Sequence, residues 1–312
     1  MMNYEEFKKE VADSIKDYLP LKYEDADVSV NRVLKNNDTV LDGLLIRVEG
    51  SNISPSIYLN GFYEKYQQGE DFSSIMEDIA QIRTEHESEN MDLGGILDYE
   101  AVKDRITARL VNREHNEKLL AERPFTPVED LAVTYYIVLE NSGEGTASVP
   151  VSNEMMKQYG ITLSELHETA MQNTFSEGNI KFMGMTRIMM EMMGGELPPE
   201  MPDVMNPEDE KMYVLTNNEK LNGAIAVMDK DTMSGIAEKV GGNFFVLPSS
   251  IHEVLVIPES QGMDYKELEA MVRDVNSSQV SPEKRLSDHV YKFDAKTREF
   301  TRADRETSLE LS

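Results

Sequence analysis

The chain has 312 residues, of which 58 are acidic and 31 are basic, so its formal net charge at pH 7 is −27. An electrostatic field of this sign repels nucleic-acid phosphates and anionic lipids, so we expect neither direct nucleic-acid binding nor membrane association. The chain has no cysteine, which excludes disulfides, thiolate metal sites and cysteine nucleophiles.

The N-terminal segment is polar and has the spacing of an amphipathic helix, not the apolar centre of an export signal. No run in the sequence approaches the roughly 20 apolar residues that cross a bilayer. Hydrophobic residues make up 40% of the chain, which is enough to form a folded core. We therefore expect a globular protein located in the cytoplasm.

Apolar spacing and turn residues define the elements at the start of the chain. Phe7, Val11 and Ile15 follow a helical period, and Pro20 ends that helix. Asn and Asp at 36–38 separate two strand-like runs, because their side chains favour turns. The predicted elements are helices over 4–19 and 72–84, strands over 28–34, 40–48 and 57–59, and a helix or a strand over 106–111.

The middle of the chain carries a nearly continuous apolar run at 131–139, rich in β-branched and aromatic residues, which predicts a buried strand. We expect 146–151 to complete a hairpin with this strand. Thr162 and Glu165 have the spacing of a capping box, which predicts a helix over 163–174.

The last hundred residues alternate strand-like and helical patterns. The predicted strands are 212–216, 224–228, 243–247, 253–257, 290–293 and 299–301, and helices are predicted from Asp231 and after Asp264. This order predicts an α+β fold in which mainly antiparallel sheets are flanked by helices. We expect two parts, over 1–120 and 121–302, followed by an acidic tail at 303–312.

Methionine is concentrated in one stretch, since nine of the 20 methionines lie within 183–212. The second half of this stretch is rich in proline and glycine, so we interpret the whole as an insertion. Thioether side chains are flexible and polarisable, and Met-rich helices form adaptable binding surfaces. The candidate partner-binding residues are Met183, Met185, Met189, Met190, Met192 and Met193. Core packing is the alternative, and the spacing does not favour Cu(I) binding.

A short polar link, PSSIHE, lies between two apolar strands near the C-terminus. It places Ser249 and Ser250 close in sequence to His252 and Glu253. A serine and a histidine support hydrolysis when a third polar group, for which Asp288 is the candidate, is within hydrogen-bond reach. The alternative is a structural strand connection, because no G-x-S-x-G elbow exposes a serine here.

Other catalytic and cofactor motifs are missing from the sequence. The pair His-Glu occurs at His86, His167 and His252, but none has the second histidine of the zinc-protease motif H-E-x-x-H. The sequence has neither a P-loop nor a G-x-G-x-x-G fingerprint. We therefore predict no cofactor and no metal.

Four strings occur along the chain in a recognisable order: SPSIYLNGFYEKYQQG (54–69), RLVNREHNEKLLAERPFTPVEDLAVTYYIVL (109–139), LPSSIHEVLVIPE (247–259) and LSDHVYKFD (286–294). Together they resemble domain-of-unknown-function family 5688, whose members come from gut clostridia and related bacteria. The resemblance implies a bacterial, cytoplasmic setting. That family has no assigned activity, so the resemblance implies no catalytic residue.

Three functions are compatible with these observations. The leading hypothesis is a non-enzymatic protein-binding or regulatory accessory protein, whose partner is a protein and, given the acidic surface, a basic one. The alternative is a hydrolase that uses the loop of Ser249, Ser250, His252 and Glu253. The third hypothesis is an acidic mimic of nucleic acid that blocks a DNA-binding enzyme.

Overall fold

The computed structural model describes residues 1–51, 54–86, 95–142, 145–176, 178–192 and 210–305. Its contacts divide the chain into two units, Met1–Gly94 and Gly95–Ser312. Both units combine helices with strands, and the strand pairs described are antiparallel. The α+β class predicted from the sequence is therefore confirmed.

The first unit is a small sheet covered by helices. Its helices are α1 (Tyr4–Ser14), α2 (Leu59–Gln67) and α3 (Phe72–Glu85), and its strands are β1 (Asp27–Leu34), β2 (Val40–Arg47) and β3 (Ser56–Tyr58). The strand order is β1-β2-β3. Phe7 of α1, Leu44 of β2 and Ile75 of α3 are fully buried in one hydrophobic cluster. The amphipathic spacing of each element therefore produces one shared core.

Two sheets make up most of the second unit. One contains β4 (Ile106–Asn112), β5 (Phe125–Val128), β6 (Leu131–Ser142) and β7 (Gly145–Pro150). The other contains β8 (Ile180–Gly184), β9 (Tyr213–Asn217), β10 (Phe244–Leu247), β11 (Val254–Pro258), β12 (Tyr291–Asp294) and β13 (Glu299–Arg302). In the first sheet, β6 pairs with β4 on one side and with β5 and β7 on the other; the order of the second is β13-β12-β10-β11-β9-β8.

Several helices of the second unit begin at side-chain caps that the sequence carries. They are α4 (Tyr99–Val102), α5 (Glu117–Ala121), α6 (Asn153–Tyr159), α7 (Leu163–Thr174), α8 (Met185–Met192), α9 (Lys230–Val240) and α10 (Tyr265–Ser278). Thr162 and Glu165 form the predicted capping box of α7. Leu166 and Ala170 of α7 are fully buried in the main hydrophobic cluster, which also contains residues of both sheets.

The division between the units differs from the boundary near residue 120 that the sequence suggested. Strand β4 pairs with β6 along its whole length, from Ile106 opposite Ile137 to Asn112 opposite Leu131. These two strands lie on either side of residue 120 in sequence but belong to one sheet. The first unit ends instead at Gly94.

The strand predicted at 224–228 is wrong, because the structure has a 3-10 helix over Gly223–Met228. Residues Gly223 to Val227 are all buried. A continuous apolar run that is buried on every side has no alternation, so its period does not distinguish a strand from a helical turn.

The predicted insertion and tail each lie partly within the described residues. Met183 belongs to the edge strand β8, and α8 follows directly; residues 193–209 lie outside the described residues. In the tail, Ala303 is buried and Arg305 pairs with Glu129, while 306–312 lie outside the described residues. Among the helices described, none is both long and apolar enough to cross a membrane.

Candidate functional site

A pocket of about 430 Å³ opens in the second unit. Strands β5 and β6, helices α7 and α9 and the β12–β13 hairpin contribute its walls. The apolar lining residues are Val128, Val133, Met171, Val227, Met228, Met233, Phe293 and Phe300. The volume lies within the ~300–1,000 Å³ that is usual for small-molecule sites, which are also mainly apolar.

One histidine lines this pocket and is held in a fixed orientation. The Nδ1 atom of His167 lies 3.0 Å from the hydroxyl oxygen of Tyr135, and that hydroxyl lies 2.6 Å from the Oγ1 atom of Thr126. The two rings meet edge to face, with an interplanar angle of 83°. Tyr135 is only 1% exposed, so the hydrogen-bonded chain is anchored in the core.

Local geometry explains why these residues meet. Val133 and Tyr135 lie on the same face of β6, because side chains alternate along a strand. Thr126 of β5 pairs with Val133, so its hydroxyl lies diagonally across from Tyr135. On α7, His167 and Met171 are four residues apart and therefore share one helix face.

Burial favours the neutral form of both the His167 and the Tyr135 side chains. It lowers the pKa of His167 below the ordinary value for histidine. It also raises the pKa of Tyr135 to about 12, although the hydrogen bond with Thr126 opposes this shift. Both groups are therefore neutral at pH 7. Within the described part of the chain, the Nε2 atom of His167 has no hydrogen-bond partner, which leaves it for a ligand.

The rim of the pocket is charged. Lys230, Arg298 and Glu299 line it, and Lys230 is exposed. The guanidinium of Arg298 donates to the main-chain oxygen of Lys230 at 3.0 Å and to the carboxylate of Asp231 at 2.7 Å. These bonds hold the β12–β13 turn against the start of α9, beside the opening.

The serine and histidine side chains predicted for the hydrolase do not bond to one another in the structure. The Oγ atom of Ser250 accepts a hydrogen bond from the main-chain N–H of His252, and the Nδ1 atom of His252 accepts one from the N–H of Asn222. Ser249 is half-buried and Glu253 is exposed.

The proposed third member lies elsewhere: the Oδ1 atom of Asp288 accepts from Asn276 at 2.8 Å. Among the hydrogen bonds described, none links Asp288 to His252. Burial lowers the pKa of His252, as do the charges of Lys284 and Arg109. The arrangement fits a structural strand connection, in which a serine side chain and the imidazole bond to the backbone.

The predicted methionine surface is divided between β8 and α8. Met189 is 45% exposed, whereas Met183, Met185 and Met190 are half-buried. The side chain of Met192 and the whole of Met193 lie outside the described residues. In the part of the chain that the structure describes, no group of three or more His, Asp or Glu side chains is placed to hold a metal.

Sequence reasoning noticed His167 only as part of a zinc-protease motif that was not complete. Its partners Tyr135 and Thr126 received no functional role. One signal was present: a tyrosine inside a buried, mainly apolar strand needs a partner for its hydroxyl. The identity of that partner depends on how α7 packs against the sheet.

The fold and the pocket define the class, an α+β protein with a mainly apolar cavity and one oriented imidazole. The chain belongs to domain-of-unknown-function family 5688, described as a family of unknown function, whose match covers residues 4–295. The resemblance read from the four sequence strings is thus confirmed. No curated protein and no solved structure matches the chain.

Proposed function

We propose that the protein is a non-enzymatic, cytoplasmic accessory protein that binds a small molecule in the His167 pocket. The ligand has an apolar body and one hydrogen-bonding end group. The observation that carries the proposal is the pairing of apolar walls with one neutral imidazole whose orientation Tyr135 holds. Regulation would follow from ligand binding, as expected for the accessory role inferred from the sequence.

Typical energies of apolar burial and of hydrogen bonds indicate which groups of the pocket supply affinity and which supply selectivity. Burying about 100 Å² of apolar ligand surface contributes about 2.5 kcal/mol. One hydrogen bond contributes a net ~1 kcal/mol, but leaving a buried polar group without a partner costs ~1–3 kcal/mol. The apolar walls therefore supply most of the affinity, and His167 selects the ligand's end group.

The proposal is tested with 8-anilinonaphthalene-1-sulfonate, a probe with an apolar aromatic body and one sulfonate group, whose fluorescence rises in apolar sites. We expect a saturable rise with one site per chain. The substitution Met171→Trp places a larger side chain in the pocket wall and should weaken probe binding by about tenfold, equivalent to ~1.4 kcal/mol. Circular dichroism checks that the variant remains folded.

The matched control is Met271→Trp. Met271 lies on α10, is 44% exposed and does not line the pocket. Because the natural chain has no tryptophan, each variant also carries a single fluorescent reporter. Equal probe affinity in both variants, or no saturable signal in the natural protein, would remove the pocket as a binding site.

A second candidate function is protein binding at α8, favoured by the exposure of Met189 beside the edge strand β8. We expect Met189→Ser to reduce capture of a partner from host lysate, measured by mass spectrometry at low and high salt. Met271→Ser is the control, since the two methionines are 45% and 44% exposed. Equal capture by the two variants would contradict this role.

The hypotheses of a hydrolase and of a nucleic-acid mimic remain predictions. The hydrolase requires the protein to cleave an ester or amide substrate, and the cleavage to disappear in His252→Gln. The mimic requires the protein to inhibit a DNA-binding enzyme in a salt-dependent way. The contacts described above favour neither hypothesis over ligand binding.

A further inference from the structure

A second, polar pocket lies against Arg109 on the edge strand β4. The Nη2 atom of Arg109 donates to the Oγ atom of Ser148 at 2.6 Å. Its guanidinium carbon lies 3.9 Å from the centre of the Tyr136 ring. A serine and an aromatic ring hold the guanidinium in place, but neither supplies the negative charge that stabilises a half-buried cation.

A second cation lies beside the first. The Nη1 atom of Arg123 donates to the Tyr136 hydroxyl at 3.0 Å, and its guanidinium lies 5.8 Å from the centre of the same ring. Burial lowers the pKa of Arg109, and the charge of Arg123 lowers it further. Among the described residues, neither arginine forms an ion pair with a carboxylate. This is unusual in a chain whose net charge is −27.

The pocket itself has a volume of about 130 Å³ and polar walls. Its lining includes the neutral polar residues Asn173, Asn179, Asn217 and Asn222 and the carboxylate of Glu219. The main-chain N–H of Asn222 also donates to the Nδ1 atom of His252. Burial lowers the pKa of that imidazole, and the positive charges of Lys284 and Arg109 lower it further. The positive charge of Arg109 and neutral polar groups therefore meet in a space that suits a small ligand, with the exposed carboxylate of Glu219 also in its lining.

We infer that this pocket binds a small oxyanion, a carboxylate or a phosphate, through Arg109. The planar guanidinium presents several N–H donors in a geometry that matches two oxygens of such a group. Ser148 takes one donor, which leaves others for the ligand. The bound anion supplies the missing counter-charge, so Arg109 is the ligand-binding group and Arg123 strengthens the field.

Removing the charge of Glu219 should change oxyanion binding in the opposite direction to removing the charge of Arg109. Glu219 is exposed, lines the same pocket and forms no ion pair with Arg109 within the part of the chain described. A carboxylate here repels an anion. Glu219→Gln should therefore tighten oxyanion binding by roughly 1.5- to 5-fold, the range measured for exposed charge pairs.

The experiment compares the melting temperature of the full chain in potassium phosphate, in potassium acetate and in potassium chloride at equal ionic strength. We expect phosphate, acetate or both to raise Tm by about 2–4 °C in a saturable way relative to chloride. A rise with phosphate alone assigns a phosphate ligand, and a rise with acetate alone assigns a carboxylate. Equal Tm in all three salts would overturn the inference.

Single substitutions test whether the anion binds at Arg109. Arg109→Gln should weaken binding of the active anion by about tenfold or more, because a charged hydrogen bond is lost. Arg113→Gln is the control, since Arg113 directly follows β4 and is exposed. If Arg109→Gln does not fold, Glu219→Gln remains a test of the oxyanion site. Oxyanion binding that is unchanged or weaker in Glu219→Gln counts against the pocket. Probe binding at His167 should be the same in every variant, so the two proposals succeed or fail separately.

Discussion

His167 and Tyr135 show how burial and a single hydrogen bond define a chemical group. The imidazole is neutral because burial disfavours its charged form. The Tyr135 hydroxyl lies within hydrogen-bond distance of Nδ1, which fixes the ring of a histidine that lines the pocket. An exposed histidine would rotate freely and change its charge near pH 6.5.

The lowered pKa of His167 predicts a pH dependence of stability. Its pKa in the folded protein is below the ordinary value of about 6.5 that applies to the unfolded chain. Between these two values the unfolded chain binds the extra proton, so the contribution of His167 to the free energy of unfolding is largest above about pH 6.5 and falls as the pH decreases. The loss reaches at most about 1.4 kcal/mol per pH unit for one group.

Urea denaturation at pH 7.5 and pH 5.5 measures this loss. We expect His167→Gln to lose less stability than the natural protein between the two values, because the titrating group is gone. His115→Gln, which changes an exposed histidine, should lose as much as the natural protein. A pH dependence in His167→Gln that equals that of His115→Gln would show that His167 does not titrate as described.

At the scale of elements, the 3-10 helix Gly223–Met228 determines how β9 meets the 248–253 loop. A Cβ atom at position 223 would lie 2.6 Å from the main-chain nitrogen of Asn217 and 2.7 Å from the main-chain oxygen of His252. Thr216 also donates to that oxygen at 2.8 Å. A glycine is therefore required where three backbone segments converge.

The close approach of these backbone segments at Gly223 predicts that a small substitution there has a large effect on stability. Gly223→Ala should lower the free energy of unfolding by about 1–3 kcal/mol, because backbone must shift to admit the methyl group. Gly235→Ala is the matched control in the interior of α9, where a Cβ atom would meet nothing within 4 Å. That change should stabilise by about 0.5–1 kcal/mol, since alanine favours helix. Equal effects of the two substitutions on the free energy of unfolding would mean that the backbone segments around Gly223 are not closely packed.

At the scale of the whole molecule, the charge of −27 opposes folding through self-repulsion. Salt screens this repulsion, because the Debye length falls from ~30 Å at 0.01 M to ~8 Å at 0.15 M. At pH 7 we expect the free energy of unfolding to rise with sodium chloride over this range, by on the order of 1 kcal/mol. Urea denaturation at each salt concentration measures the change.

The control for the salt effect is the pH of zero net charge. The sequence pI is about 4.5, so the net repulsion vanishes near that pH and the salt-induced rise should shrink there. Stability that is independent of salt at pH 7, or that falls with salt, would show that local ion pairs outweigh the net charge.

The sequence by itself determined the features whose causes lie within a few residues. The capping box of Thr162 and Glu165 starts α7, and the Asn36–Asp38 turn separates β1 from β2, both as predicted. Periodicity also gave the α+β class, because helical and strand spacing differ in which faces they bury. These signals are local hydrogen bonds and local side-chain patterns, so they need no knowledge of packing.

Only the tertiary structure decided the unit boundary, the 3-10 helix at Gly223–Met228 and the candidate site. Tyr135 and His167 are 32 residues apart in sequence, and they meet because α7 packs against the sheet of β6. Arg109 and Ser148 are separated by 39 residues and meet across the same sheet. Such contacts depend on how buried faces dock, which the period of a single segment does not specify.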